Sequence, residues 1–169
     1  MTALRSVVYE APGWGLGELV FRGDVPVHHE MPHDDSAPTG EPAASPAERA
    51  LVDRLVAYFA GDRSSFADVD LGPTLEWAGV TPFEERCLRE LQRIPYGETI
   101  SYGELAKRVD RPEAARAVGS ANGQNPIAIV VPCHRVIGAD GSLTGFGGGL
   151  DWKRWLLARE QPQGSLLDA

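Results

Sequence analysis

One cysteine and one histidine stand next to each other in residues 129–138, which read IVVPCHRVIG. The thiolate is the nucleophilic form of cysteine, and an ordinary thiol, with a pKa of about 8.5, is only a few per cent ionised at neutral pH. A nearby imidazole can take the thiol proton, so Cys133 and His134 are a candidate nucleophile and base. Neighbouring residues of an extended strand point to opposite faces, so the pair needs either a turn after Cys133 or a bridging water. A cysteine at the end of a strand can equally be a small core residue.

A carboxylate that could orient His134 lies near the end of the chain. Residues 151–160, DWKRWLLARE, predict a helix. Trp152, Trp155 and Glu160 lie near one side of this helix, which places Glu160 at the border of its apolar face. An imidazole needs such a partner to fix its tautomer. Cysteine, histidine and glutamate often occur together by chance, so the trio alone does not establish an active site.

The cysteines and the apolar residues restrict the class of protein. The chain has 169 residues, 43% of them hydrophobic, which is enough for a sizeable core. Cys87 and Cys133 lie far apart and predict no disulfide framework, so we expect a reducing, cytoplasmic environment. Cys87 shares a helical stripe with Phe83 and Leu91 and is interpreted as a core residue. No apolar run approaches about twenty residues and the N-terminus does not read as a secretory signal, so no membrane span is expected.

The charged residues are distributed unevenly. The formal net charge of −8 taken alone argues against a nucleic-acid partner. Residues 1–82, however, carry 5 Lys and Arg against 13 Asp and Glu, whereas residues 83–169 carry 11 of each. A group of cations in this second half either faces phosphate or forms an ordinary solvated helix face, and charge alone favours the second interpretation. The members of this group are Lys107, Arg108, Arg111 and Arg116.

The hydrophobic pattern predicts an α+β fold with two domains. Residues 1–80 form a small N-terminal α/β domain with a short sheet, and residues 81–169 form a mainly helical domain that contains a helix-turn-helix and Cys133. The elements predicted in the first domain are strands at 4–10 and 17–22, a mobile loop at 23–46, a helix at 47–60 that Gly61 ends, and an irregular extended stretch at 62–82.

The helix-turn-helix is predicted from its start and stop signals. SYGE, residues 101–104, has the form of a capping box and opens one helix. Pro112 at a first helical position and Glu113 in the first turn begin the next. The second helix of such a pair normally enters a DNA groove.

That second helix carries small side chains. Ala115, Ala117 and Gly119 leave Arg116 as its one long arm. A helix this smooth either packs closely on another helix or lies in the narrow minor groove of DNA, and the pattern alone favours close helix packing.

The segments around the cysteine are predicted to be extended. Residues 127–131, IAIVV, predict a buried strand that ends just before Cys133. An Asp140-Gly141 turn between apolar residues predicts a hairpin after it. A glycine-rich loop, TGFGGGL, then leads to the last helix.

The motif around Cys133 resembles that of a known family. PCHRV, at 132–136, resembles the active-site motif of the O6-alkylguanine-DNA alkyltransferases, the methylated-DNA–protein-cysteine methyltransferases. The resemblance continues in one register through IPYGETISYGELA, AARAVGSANGQNP and WLLARE, and covers residues 83–160. Residues 1–80 resemble the family's variable N-terminal domain only in outline.

The resemblance implies DNA repair by direct reversal. The protein would bind double-stranded DNA that contains O6-alkylguanine, flip the damaged guanine out of the stack, and transfer its alkyl group irreversibly to Cys133, once per molecule. His134, through a water, would take the thiol proton, and Glu160 would orient the imidazole. Tyr102 would hydrogen-bond the flipped base and help charge leave the guanine. No metal and no cofactor are implied, and the protein is expected to be a monomer.

The resemblance also assigns contacts to DNA and to the pocket. Arg116 would enter the base stack in place of the flipped guanine. The further implied positions are a small helix face in the minor groove (Ala115, Ala117, Gly119), a brace for the turn before the cysteine (Asn125), a backbone carbonyl for the base (Val136) and backbone N–H groups for O6 (around Gly147). Some family members carry serine where this chain has Gly147, which predicts a pocket that admits larger alkyl groups.

Two other functions fit parts of the pattern. Alkyltransferase-like proteins bind lesions with the same helix-turn-helix and lack the cysteine, so Cys133 argues against that function. A cysteine hydrolase would need an oxyanion hole and would turn over repeatedly. The three functions differ in what happens to the cysteine: alkyl transfer modifies its thiol permanently, lesion binding needs no cysteine, and hydrolysis regenerates the thiol after each cycle.

Overall fold

A computed structural model describes residues 2–33 and 39–161. The chain divides into two compact units: Met1–Ser64 with Asp70–Ala78, and Ser65–Val69 with Gly79–Ala169. In chain order the elements are β1 (Leu4–Ala11), β2 (Gly15–Arg22), β3 (Val25–His33), α1 (Pro46–Ala60), α2 (Gly72–Ala78), α3 (Pro82–Gln92), β4 (Ile100–Ser101), α4 (Tyr102–Arg108), α5 (Ala115–Asn122), β5 (Val136–Ile137) and α6 (Leu150–Glu160). The predicted α+β class is confirmed, whereas the domain boundary at residue 80 stays a prediction.

The N-terminal unit is an antiparallel meander with two helices. Its three strands pair in the order β1-β2-β3, α1 packs on β1 and α2 packs on β3. Alternate residues of the strands, such as Val7 and Leu19, are buried together with Leu55 of α1. A reciprocal capping box between Ser45 and Glu48 begins α1. The predicted strands at 4–10 and 17–22 and the predicted helix at 47–60 are therefore confirmed.

The prediction of a loop at 23–46 is wrong for Val25–His33, whereas residues 39–45 lie in neither a helix nor a strand. Val25–His33 is the edge strand β3, and residues 34–38 lie outside the described residues. Its prolines are tolerated because an edge strand has one side without ladder bonds. His29 is buried and its Nε2 lies 2.7 Å from the hydroxyl of Tyr9, so a polar residue fills a core position of the strand. Because a polar residue occupies a buried position, the sequence of β3 does not show the alternation of apolar and polar residues that predicts a strand.

The prediction of an irregular stretch at 62–82 is also wrong in part. Residues Gly72–Ala78 form α2, and the hydroxyl of the buried Thr74 donates to the carbonyl of Pro26 at 2.9 Å. This helix has two turns and begins with a Gly-Pro pair, so too few residues repeat for a helical period to show.

Three helices form the core of the second unit. α3 packs on α4 and α5, and α4 packs on α5. Cys87 and Leu88 of α3, Leu105 of α4 and Val118 of α5 are fully buried. The interpretation of Cys87 as a core residue is therefore confirmed.

The helix-turn-helix is present, with a later start to its second helix. Ser101 caps α4 by accepting a hydrogen bond from the amide of Glu104. α5 begins at Ala115 and not at Pro112, because the intervening residues form a turn in which the amide of Ala114 donates to the carbonyl of Arg111 at 2.8 Å. A proline with φ near −65° fits that turn as well as it fits a helix.

The predicted strand at 127–131 is wrong, because this segment folds back on itself. The amide of Val131 donates to the carbonyl of Ile127 at 3.0 Å, and Ile129 between them has a φ of +74°. A positive φ is unusual for a β-branched residue. The side chain of Asn125 accepts from the amide of Ile127 and donates to the carbonyl of Val131. These local bonds replace the pairing of a strand.

Of the remaining elements, α6 packs against the cysteine segment at residues 133–135. β5 follows the cysteine and pairs in parallel with β4, so the predicted hairpin is wrong, although the turn at Asp140 and Gly141 is present. α6 begins at Leu150, one residue before the predicted start. No helix among residues 2–33 and 39–161 is long and apolar enough to cross a membrane.

Candidate active site

Cys133 and His134 lie in a single 3₁₀ turn, Cys133–Arg135, that follows Pro132. The amide of Arg135 donates to the carbonyl of Pro132 at 3.0 Å, which closes the turn. Cys133 is 6% exposed and His134 is completely buried. The two side chains therefore need not point to opposite faces, as they would on a strand.

A buried hydrogen bond joins His134 to Glu160. Nε2 of the imidazole lies 2.7 Å from Oε1 of the carboxylate, and both side chains are buried. An ionised carboxylate only accepts hydrogen bonds, so Nε2 carries the proton. In the neutral ring Nδ1 is then the free base, and it has no hydrogen-bond partner among the residues that the structure describes.

Burial sets the protonation of the pair. Burial raises the pKa of the Cys133 thiol, whereas a hydrogen bond from the side chain of Asn125 and the positive charge of Lys153 lower it; burial has the larger effect. Burial also lowers the pKa of His134, and this effect is larger than the opposite effect of Glu160, which raises that pKa. The resting pair is therefore a neutral thiol beside a neutral imidazole, and a proton acceptor is needed before the sulfur can react.

Glu160 is held as a carboxylate at the end of α6. Burial alone would raise its pKa, but hydrogen bonds from His134 and Arg135 outweigh burial and bring the pKa to about 2. A carboxyl group with this pKa is ionised at neutral pH. It therefore orients the imidazole and does not take the proton from it.

Tyr102 connects α4 to three other parts of the unit. Its hydroxyl donates to the carbonyl of Thr144 at 2.9 Å, in the loop before α6. Nζ of the buried Lys153 donates to the same carbonyl at 3.1 Å and lies 3.4 Å from the Tyr102 hydroxyl. A Cβ on Gly119 of α5 would lie 3.7 Å from the Tyr102 ring, so the small residue lets the helix approach the ring.

Two asparagines support the cysteine turn from α5 and from the segment after it. Nδ2 of Asn122 donates to the carbonyl of Cys133 at 3.3 Å. Asn125 bridges the amide of Ile127 and the carbonyl of Val131, as described above. The backbone that presents Cys133 is thereby tied to the end of α5.

The exposed face of α5 has the composition that the sequence indicated. Ala115, Arg116 and Ala117 are exposed, and Val118 faces the core. Arg116 makes no hydrogen bond or ion pair with another described residue. The guanidinium is therefore available to a partner.

Val136 and Gly147 are the least connected of the predicted positions. The Val136 side chain is fully buried and its residue pairs with Ile100, so only its backbone could reach a base. Gly147 is exposed, and a Cβ built on it would meet nothing within 4 Å. Their contact with a base stays a prediction.

Comparison with known proteins identifies the relatives of this chain. The family described as 6-O-methylguanine DNA methyltransferase, DNA binding domain, matches residues 82–162. A methylated-DNA–protein-cysteine methyltransferase from Mycolicibacterium paratuberculosis is 60% identical over 110 residues, which are 65% of this chain and 63% of that protein. A crystal structure of Mycobacterium tuberculosis O6-methylguanine methyltransferase is 43% identical, with a TM-score of 0.75, over 97% of this chain and 96% of that chain. The chain belongs to this methyltransferase family.

A relative in this methyltransferase family has been solved with nucleic acid. It is Mycobacterium tuberculosis OGT in complex with DNA, 45% identical with a TM-score of 0.74 over 92% of each chain. The match to the first curated relative spans 63% of that relative's length. The family predicted from PCHRV and its flanking motifs is confirmed.

Sequence reasoning did not identify three residues that contact the site. Arg135 lies inside the PCHRV motif, so its position next to His134 was the available signal. Lys153 is fully buried on α6, which its place between two tryptophans could have indicated. Asn122 had no signal, since its contact with the cysteine backbone depends on how the chain folds after α5.

No group of three or more His, Cys, Asp or Glu side chains that could hold a metal ion occurs in the described part of the chain.

Proposed function

We propose that this protein repairs DNA by direct reversal, and that it transfers the alkyl group of O6-alkylguanine, methyl above all, to Sγ of Cys133. The observation that carries the proposal is the buried hydrogen bond from His134 to Glu160 directly beside a cysteine whose turn is tied to α5. It supports a sulfur nucleophile with an oriented base next to a helix that fits a minor groove.

Binding to duplex DNA rests on α5. Its exposed face combines Ala115 and Ala117, which allow close approach, with Arg116, which has no partner among the described residues and can enter the space left by a flipped base. Flipping costs a few kcal/mol, and less for a poorly paired lesion, which favours damaged guanine. The basic residues Lys107 and Arg111 are exposed near this helix and favour contact with phosphates.

The chemical step needs one base and one acid. Nδ1 of His134, directly or through a water, takes the thiol proton, and the sulfur attacks the alkyl carbon. The S–C bond forms as the C–O6 bond breaks, and the electron pair passes to the guanine. The hydroxyl of Tyr102 then donates a proton to the base, which neutralises the charge that leaves with it. The tyrosinate, which lies 3.4 Å from Nζ of Lys153, regains a proton from water, and the imidazolium of His134 returns the thiol proton to water. Backbone groups of Val136 and Gly147 complete the contacts to the base.

The product determines the kinetics. A thioether on Cys133 has no low-energy route back to a thiol, so each molecule reacts once. The alkyl carbon is already activated by the guanine leaving group, so a thiolate and a proton donor suffice, and the proposal includes no metal or cofactor. We also propose that the protein is a monomer in the cytoplasm, where the free thiols of Cys87 and Cys133 persist.

Intact mass after incubation with an O6-methylguanine duplex tests the proposal against its rivals. A stable gain of one methylene per protein molecule is the expected result. An unchanged mass with retained DNA would indicate a lesion binder, and release of a product over many cycles would indicate a hydrolase. Either of those two results contradicts alkyl transfer.

A further inference from the structure

Arg135 is a buried charged residue to which the proposed mechanism gives no role. It follows His134 in the 3₁₀ turn and is 6% exposed. Its Nε and Nη2 donate to Oε2 and Oε1 of Glu160 at 2.7 and 2.8 Å, and its Nη1 donates to the carbonyl of Ile94 at 2.7 Å. The guanidinium also lies 5.7 Å from the ring centre of Tyr96. This bidentate ion pair with Glu160 fixes both the position and the plane of the carboxylate.

Arg135 shares Glu160 with the imidazole. Oε1 of Glu160 accepts from both Nη2 of Arg135 and Nε2 of His134. A buried carboxylate with an imidazole as its one partner would draw a second proton onto that ring, since an uncompensated buried charge is costly. The guanidinium already compensates the carboxylate. The ring can therefore remain neutral and keep a lone pair on Nδ1.

We propose that Arg135 is a positioning residue for alkyl transfer: its pair with Glu160 holds His134 as a neutral, correctly oriented base. This inference rests on the proposed function, which it deepens. Arg135 acts through Glu160 and has no contact with the reacting atoms in this account.

The charged and titratable groups near His134 come from two elements. Glu160 and Lys153 lie on α6, whereas Arg135 and the Cys133 thiol lie on its own turn. Glu160 raises the pKa of His134, and the positive charges of Arg135 and Lys153 lower it, in addition to burial. Loss of the Arg135 charge, with Lys153 kept, should therefore raise the pKa of the imidazole.

Two variants separate the charge of Arg135 from its shape. Arg135→Gln removes the charge but keeps amide donors. Arg135→Lys keeps the charge but loses the planar guanidinium and its bidentate hydrogen bonds. Alkylation of Cys133 is followed against pH with O6-benzylguanine as free base and, separately, with iodoacetamide. Peptide masses distinguish Cys133 from Cys87. Arg89→Gln, which removes an arginine paired with Glu85 on the surface of α3, is the matched control.

The expected result is a shift of the acid limb of the pH–rate profile for alkylation of Cys133. In Arg135→Gln it should move up by about one pH unit, which makes the reaction ~10-fold slower on the acid side and close to the unsubstituted protein at alkaline pH. Arg135→Lys should show less than half of this shift, and Arg89→Gln none. A uniform loss of rate at every pH, with no shift, would mean a merely structural role and would overturn the inference.

A second measurement uses the unsubstituted protein. Nitrogen NMR of the full chain at pH 7 should show His134 as neutral, with Nε2 protonated and Nδ1 bare. An imidazolium at pH 7 would overturn the inference even if Arg135→Gln does not fold. Because iodoacetamide needs no guanine, a shifted iodoacetamide profile without transfer from guanine would refute the proposed function alone.

Discussion

The hydroxyl of Tyr102 donates to the carbonyl of Thr144 at 2.9 Å, and so is already engaged without DNA. A flipped base that takes this hydrogen bond must replace Thr144 as its acceptor. Lys153 also donates to the Thr144 carbonyl, so that oxygen keeps a partner after the exchange. The exchange therefore leaves the Thr144 carbonyl with a hydrogen-bond partner.

Tyr102→Phe removes the proposed hydrogen-bond donor to the leaving guanine. We expect the rate of alkyl transfer to fall about 10²-fold, since loss of a positioned acid has effects of this size. Lys153 should still hold Thr144, so the free energy of unfolding should change by no more than about 1 kcal/mol. Single-turnover kinetics with a methylated duplex measure the first quantity and urea unfolding the second. An unchanged rate would remove Tyr102 from the mechanism.

Glu160→Ala leaves His134 and Arg135 buried without their carboxylate. We expect the free energy of unfolding to fall by about 3–5 kcal/mol, since breaking a buried ion pair leaves an uncompensated charge. Urea unfolding measures the change. Glu85→Ala, which breaks an exposed pair with Arg89, is the control and should cost no more than about 1 kcal/mol. Equal effects in the two variants would contradict the importance of the buried pair.

The stability of the protein should depend on the ionisation of Glu160. Its pKa in the fold is about 2, below the ordinary value of 4.5, so the unfolded chain binds the proton more tightly. The resulting stabilisation is fully present above pH ~5 and is lost as the pH falls toward 2, by on the order of 3 kcal/mol. Urea unfolding at pH 5, 4 and 3 measures this slope. Glu160→Gln should make the slope shallower, and an unaltered slope would contradict the prediction.

Arg116→Ala should separate base flipping from chemistry. Arg116 has no partner among the described residues, so its loss should change the free energy of unfolding by no more than about 0.5 kcal/mol. We expect slower transfer from duplex DNA but an unchanged reaction with O6-benzylguanine as free base, which needs no flipping. Arg89→Ala, on α3, serves as the control. Equal slowing with duplex and free base would refute the flipping role.

Gly147→Ser tests the breadth of the pocket. A Cβ at this position meets nothing within 4 Å, so the variant should fold like the unsubstituted protein. If the missing side chain widens the pocket, the serine should slow transfer of benzyl relative to methyl. Competition between the two substrates gives the ratio directly. An unchanged ratio would show that Gly147 does not set the preference for alkyl size.

The sequence predicted the family and the main helices because these depend on local signals. The caps Ser45 and Ser101 and the motif PCHRV are contiguous in the chain, so each could be recognised without knowledge of the fold. The contact of His134 with Glu160 was expected from the resemblance, and the structure adds the tautomer, since the carboxylate fixes the proton on Nε2.

The predictions that were wrong concern segments whose conformation depends on distant partners. β3 was hidden because His29 fills a core position through a bond to Tyr9, 20 residues away. The segment at 127–131 is as apolar as a strand, but Asn125 satisfies its backbone locally and folds it into turns. The ion pair of Arg135 likewise depends on α6, which the local pattern does not reveal.

The position of the transferred carbon tests the central claim most directly. After reaction with a duplex that carries O6-methylguanine, the protein is digested and its two cysteine peptides are weighed. We predict one methyl group on the peptide that contains Cys133, none on the peptide that contains Cys87, and no transfer in Cys133→Ser. A methyl group on Cys87, or transfer that persists in Cys133→Ser, would contradict the account.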